Sequence, residues 1–76
     1  MDENLEFLFK DPNSISGNCP AAYRAARNGR PGLAIQGSEL SPDQLSQLRD
    51  RASDEGGVWI PDDLGRLIAK HYRDLG

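Results

Sequence analysis

Cys19 and His71 are the only cysteine and the only histidine of this chain, and no other pair here could supply a thiolate nucleophile and its base. Such a pair works only when the thiol lies within hydrogen-bond reach of an imidazole that a third group orients. Neither residue sits in a recognisable motif. Cys19 stands before Pro20 at a loop-to-strand junction, with no Lys, Arg or His beside it to stabilise a thiolate. It reads as a small structural hydrophobe. His71 falls on the apolar side of a predicted helix, where a packed imidazole is the ordinary occupant. The adjacent carboxylates Asp54-Glu55 and Asp62-Asp63 occupy a loop and a helix start, where acids act as solvated charges and caps. A closed zinc site needs about four ligands, mostly Cys and His, and Cys19 and His71 are too few. The basic run Asn28-Gly29-Arg30-Pro31-Gly32 lacks the spacing of a phosphate-binding loop. The sequence therefore predicts no enzyme, no catalytic residue, no metal and no cofactor.

Binding chemistry remains. Arg24, Arg27 and Arg30 fall within residues 21–32, which hold no acid, whereas residues 33–57 carry five acids against two arginines. A formal net charge of −3 argues against general nucleic-acid affinity, which depends on neutralising phosphates. Tyr, Trp and Arg are the residue types that anchor protein interfaces. Tyr23, Arg24, Arg27 and Arg30 are the predicted partner-binding set, suited to an acidic protein surface. The competing reading of the same residues is an ordinary solvated hairpin. Phe7, Phe9 and Trp59 read as core, and Tyr72 beside Arg73 as a second interface candidate. The stripe Arg66, Lys70 and Arg73 shares its segment with Asp62, Asp63 and Asp74, so it reads as a solvated face.

The elements that would position these residues follow from periodicity and turn chemistry. Leu5, Phe7 and Phe9 alternate as in a half-buried strand. Asp11, Pro12, Asn13 and Ser14 break that strand, and Ser16, Gly17 and Asn18 extend the loop to Cys19-Pro20. Residues 21–27 form the next predicted strand, with Tyr23 and Arg27 on one face and Arg24 on the other. Asn28-Gly29 opens a hairpin turn running to Gly32, and Leu33-Ala34-Ile35-Gln36 returns as a strand. Ser41, Pro42 and Gln44 spell a capping box with proline at the first helical position. Leu45, Leu48 and Ala52 then continue a helix. Val58-Trp59-Ile60 is a short strand between glycines and Pro61. A last helix carries Leu64, Leu67, Ile68, His71 and Leu75 along one side. The expected fold class is α+β, a single domain over residues 1–76. A small antiparallel sheet of three to four strands packs with two short helices in the order β-β-β-α-β-α. The two helices are separated by a strand, so a helix-turn-helix DNA-binding unit is not expected.

A chain of 76 residues buries only about 60% of its unfolded surface, and its stability margin is thin. A single thiol fits a reducing cytoplasm better than a disulfide-rich secreted scaffold. The acidic opening Met1-Asp2-Glu3-Asn4 is unlike the basic start of a signal peptide, and no apolar run approaches the ~20 residues of a membrane span.

Several short segments together carry a family likeness: Asp11-Pro12-Asn13-Ser14, Gly17-Asn18-Cys19-Pro20, Tyr23, Leu33-Ala34-Ile35-Gln36-Gly37 and Val58-Trp59-Ile60-Pro61. They resemble small actinomycete proteins of the BldB-like kind, commonly encoded beside Xre-type helix-turn-helix regulators. The resemblance spans residues 11–63. One departure stands out: the family tends to place Trp or Lys after Gln-Gly, whereas Ser38 follows Gln36-Gly37 here, which implies a different contact with any partner. The resemblance implies a non-enzymatic regulatory protein that binds and modulates a helix-turn-helix transcription regulator, in a pairing like that of antitoxins. The alternative is a structural homo-oligomeric module whose assembly completes its core, with no link to DNA.

Overall fold

The computed structural model describes residues 4–13 and 19–76. The loop expected across residues 14–18 and the acidic opening at 1–3 lie outside the described residues.

The chain is a mixed α+β fold built on a three-stranded antiparallel sheet in the order β1-β2-β3, with β1 at Glu6–Lys10, β2 at Ala21–Arg27 and β3 at Arg30–Gln36. The β2–β3 hairpin closes through a two-residue turn. Asn28 (φ 53°) and Gly29 (φ 79°) both take positive φ, as the type I′ turn favoured between twisted strands requires. Arg27 therefore pairs directly with Arg30. Pairing resumes at once, so β3 begins at Arg30 and not at the expected Leu33. Pro31 is tolerated within it because β3 lies at the edge of this sheet.

The alternation expected across Leu5, Phe7 and Phe9 breaks inside β1. Phe7 pairs with Tyr23, but Phe9 pairs with the next residue along, Ala22. Leu8 is the extra residue of a β-bulge, and a bulge reverses which face the following side chains occupy. Phe7 thus joins Tyr23 on one face, ring centroids 5.8 Å apart and edge to face. Phe9 goes to the opposite face with Ala22 and meets His71 at 6.0 Å.

That opposite face is covered by α2, Asp62–Leu75. Leu64, Leu67, Ile68 and His71 follow the i, i+3, i+4, i+7 pattern of an amphipathic helix. Leu64 is fully buried, and the other three are half-buried. Leu75, expected on the same side, is 64% exposed. Asp62 and Asp63 sit in the first turn, where carboxylates favour the positive end of the helix dipole.

Between β3 and α2 lies a second, smaller unit. Ser38–Glu39 forms β4, a strand the sequence did not suggest, and it pairs antiparallel with β5, Val58–Trp59. The Val-Trp strand therefore builds a two-stranded ribbon of its own and does not extend the main sheet. The order becomes β-β-β-β-α-β-α. At the junction of β3 and β4, a Cβ on Gly37 would lie 2.5 Å from the Trp59 carbonyl oxygen and 2.8 Å from Ile60 Cγ2. The chain crosses itself there only because residue 37 has no side chain.

The capping box of α1 forms as the sequence indicates. The Gln44 amide donates to Ser41 Oγ at 3.2 Å, and the Ser41 amide donates to Gln44 Oε1 at 3.2 Å. The helix itself is a single turn, Pro42–Leu45, and not the longer one expected through Ala52. Its continuation is intercepted by side chains. The Asp43 carbonyl accepts from the Ser46 hydroxyl at 2.7 Å and from the Gln47 side-chain amide at 3.1 Å. The Gln47 backbone amide turns instead to Gln44, three residues back. Serine and polar side chains that compete for backbone carbonyls weaken helices in this way. Asp50 then adopts left-handed φ of 53° and turns the chain out of the helical path.

The core is small. Among the described residues the buried apolar side chains are Ala21, Ala22 and Leu64. The molecule exposes 6209 Å², against ~4,600 Å² for a compact monomer of this mass by the usual surface scaling. No helix among the described residues is long and apolar enough to cross a membrane.

Candidate functional site

The four residues singled out in the sequence lie on or beside the hairpin, and the pairing register sorts them. Side chains along a regular strand alternate between faces, and β2 pairs with β3 without interruption. Tyr23 and Arg27 therefore share one face of the sheet, joined by Arg30 opposite Arg27. This is also the Phe7 face, turned away from α2. Arg24 lies on the other face, paired with Glu6 on one side and Leu33 on the other. The structure thus brings together Tyr23, Arg27 and Arg30 and separates Arg24 from them.

Tyr23 has a defined structural task. Its hydroxyl donates to Gln36 Oε1 at 2.8 Å, and Gln36 Nε2 donates in turn to the Cys19 carbonyl at 3.2 Å. The edge of Tyr23 meets the Phe7 ring. This chain fixes the start of β2 to the end of β3. A second chain begins at Asp11, which is buried. Its backbone amide donates to the Pro20 carbonyl at 2.8 Å, and its carboxylate accepts from the Asn13 amide at 3.1 Å. Asn13 then donates to Asp63 at the start of α2, and Asp63 also pairs with Arg66 at 2.9 Å. Asp11, Asn13, Cys19, Tyr23, Gln36 and Gly37, which helped carry the family likeness, are thus tied into the scaffold.

Among the described residues the ion pairs all belong to α2: Arg66 with Asp63, and Lys70 and Arg73 with Asp74. Those pairs are exposed and worth little. Arg27 and Arg30 have no ion pair among the described residues, which is equally true of Lys10, Arg24, Arg49 and Arg51. Arg27 and Arg30 stand directly opposite each other, an arrangement that like charges make unfavourable. A hollow of about 810 Å³ wraps the hairpin, lined from this face by Leu5, Ala25, Arg27 and Gly32 and from the other by Ala26 and Leu33. Arg27 also borders a second, more polar hollow of about 520 Å³ shared with Asp54 and Glu55.

The apolar surface was only partly foreseen. Phe7 is 57% exposed, Leu5 56% and Trp59 55%, whereas Phe7 and Trp59 were expected in the core. The bulge at Leu8 and the separate β4–β5 ribbon account for both. The alternation of the sequence carries no sign of either. Tyr72, an interface candidate in the sequence, is exposed, with its ring edge against His71 at 5.3 Å.

His71 lies between Phe9 and Tyr72, its Nε2 buried without a hydrogen-bond partner among the described residues. Cys19 is half-buried at the entry to β2. Among the described residues no group of three His, Cys, Asp or Glu side chains is placed to hold a metal ion.

Comparisons of this chain with protein-family models, with curated proteins and with solved structures found no match.

Proposed function

We propose that this chain is a non-enzymatic regulatory protein that binds and modulates a helix-turn-helix transcription regulator, and that it acts as a binding module. The observation that carries the binding role is the balance of its surface. Among the described residues, a core of Ala21, Ala22 and Leu64 accompanies seven exposed large apolar side chains, Leu5, Phe7 and Trp59 among them. Burial of apolar surface is the main favourable term in association, worth ~25 cal/mol per Å², and this chain keeps much of that surface in reserve. The hairpin arginines add a charged anchor of the type that interfaces favour. The nature of the partner comes from the resemblance to BldB-like proteins, as does a pairing like that of antitoxins. A cytoplasmic location accompanies this reading, because a regulator of transcription works there and a single thiol suits a reducing compartment.

The exposed apolar set also favours a second reading, a homo-oligomeric module that completes its core with copies of itself. One experiment separates them. The chain is co-expressed with an Xre-type helix-turn-helix regulator from its own genome, and the purified material is weighed by light scattering after size exclusion. A heteromeric complex is expected. Elution of the regulator alone would overturn the proposal, and a self-assembled chain that ignores the regulator would install the second reading in its place.

A further inference from the structure

We infer that the sheet face opposite α2 seats an acidic amphipathic helix of a protein partner, with a carboxylate held between Arg27 and Arg30 and apolar side chains laid over Ala25, Gly32 and Ala34. This rests on the reading of the chain as a binding module and names the chemistry of what it binds.

The edges of the sheet argue for a docked face and against an added strand. β3 has Pro31, which lacks an amide donor, and β1 has the bulge at Leu8. Both devices blunt strand addition. A sheet face is ordinarily covered by a layer of helix or sheet; here α2 covers the Phe9 side, and the Tyr23 face is buried at Ala21 but opens towards the hairpin, where Arg27 and Arg30 are exposed. The register places Ala25 opposite Gly32 and Tyr23 opposite Ala34, so small residues form a floor over which a helix can come close. Leu5 and Phe7, both more than half exposed, wall that floor on the β1 side. Tyr23 and Arg27 lie four residues apart on β2, or ~13 Å at the strand rise. That matches about two turns of helix, enough for apolar contacts at one end and a carboxylate at the other.

Charge selects the occupant. Arg27 and Arg30 face each other with no ion-pair partner among the described residues, and a carboxylate between them would relieve their repulsion with charge-assisted hydrogen bonds. Nucleic acid fits less well. Arg27 and Arg30 are two charges at one end of the face, enough to hold a single carboxylate and too few to track an extended phosphate backbone. Arg24, on the α2 side and opposite Glu6, takes no part.

The test uses the whole ¹⁵N-labelled chain and two synthetic helical peptides with the same leucine face. One carries glutamates at its end and the other lysines. Binding is read by fluorescence anisotropy and the contact surface by amide shifts. The acidic peptide is expected to bind at least about tenfold more tightly, with shifts confined to residues 5–7 and 25–34. R27Q/R30Q should abolish the preference, while R24Q retains it within about twofold, each variant being checked for an unchanged dichroism spectrum. Equal affinity for the two peptides would overturn the inference, as would equal damage from R24Q, shifts centred on α2, or tighter binding of a short DNA duplex. Self-association that R27Q/R30Q removes would identify a second copy as the occupant and overturn it too. If the peptides are not discriminated but the chain still joins the regulator, the assigned chemistry fails and the binding-module reading stands. Failure of both experiments removes both.

Discussion

Gln36 accepts a hydrogen bond from the Tyr23 hydroxyl and donates one to the Cys19 carbonyl, so one side chain ties three segments together. Tyr23→Phe removes the first bond and leaves the ring against Phe7. The bond is solvent-exposed, so the loss should be at the low end of the usual range, about 0.5–1 kcal/mol, seen as a lower urea midpoint with an unchanged slope. Gly37 makes a different demand. A methyl group there would meet the Trp59 carbonyl oxygen and Ile60, and backbone cannot yield as a flexible side chain can. Gly37→Ala should cost about 1–3 kcal/mol and abolish hydrogen-exchange protection in β4 and β5 first. Protection unchanged in that ribbon would show that the two segments do not cross as described. Neither demand is visible in the sequence. Gly37 reads there as a strand end and Tyr23 as an interface aromatic, because long-range contacts leave no periodic trace.

Elements were legible where their signals are local. The Asn28-Gly29 turn and the Ser41 capping box form as the residues indicate, since each is decided within four residues. Length and pairing were less legible. α1 stops after one turn because Ser46 and Gln47 capture the Asp43 carbonyl, and β1 divides its aromatic residues between two faces through the bulge at Leu8. Ser41→Ala removes the acceptor for the Gln44 amide and should destabilise by about 1 kcal/mol, or roughly 4–8 °C in Tm for a domain of this size. A Tm within error of the parent would mean that this turn is independent of the folded core. The site was legible in part for the same reason. Alternation along β2 already set Tyr23 and Arg27 on one face and Arg24 on the other. Which face α2 covers depends on the bulge that sends Phe9 towards His71.

At the scale of the molecule, a small core and a sheet face left open towards its hairpin end are two aspects of one shortage. With 76 residues, and with β4, α1 and β5 spent on a ribbon beside the sheet, one helix is left to cover it. The other face keeps Leu5, Phe7 and the Arg27–Arg30 pair at the surface, where a partner would supply the missing layer. Titrating the ¹⁵N-labelled chain with an Xre-type helix-turn-helix regulator, the partner class proposed above, and following every backbone amide, tests this most directly. The account predicts saturable shifts concentrated at residues 5–7 and 25–34, with little change along the outer side of α2 at Arg66, Lys70 and Arg73. Shifts gathered on that outer side, or none at saturating regulator, would contradict it.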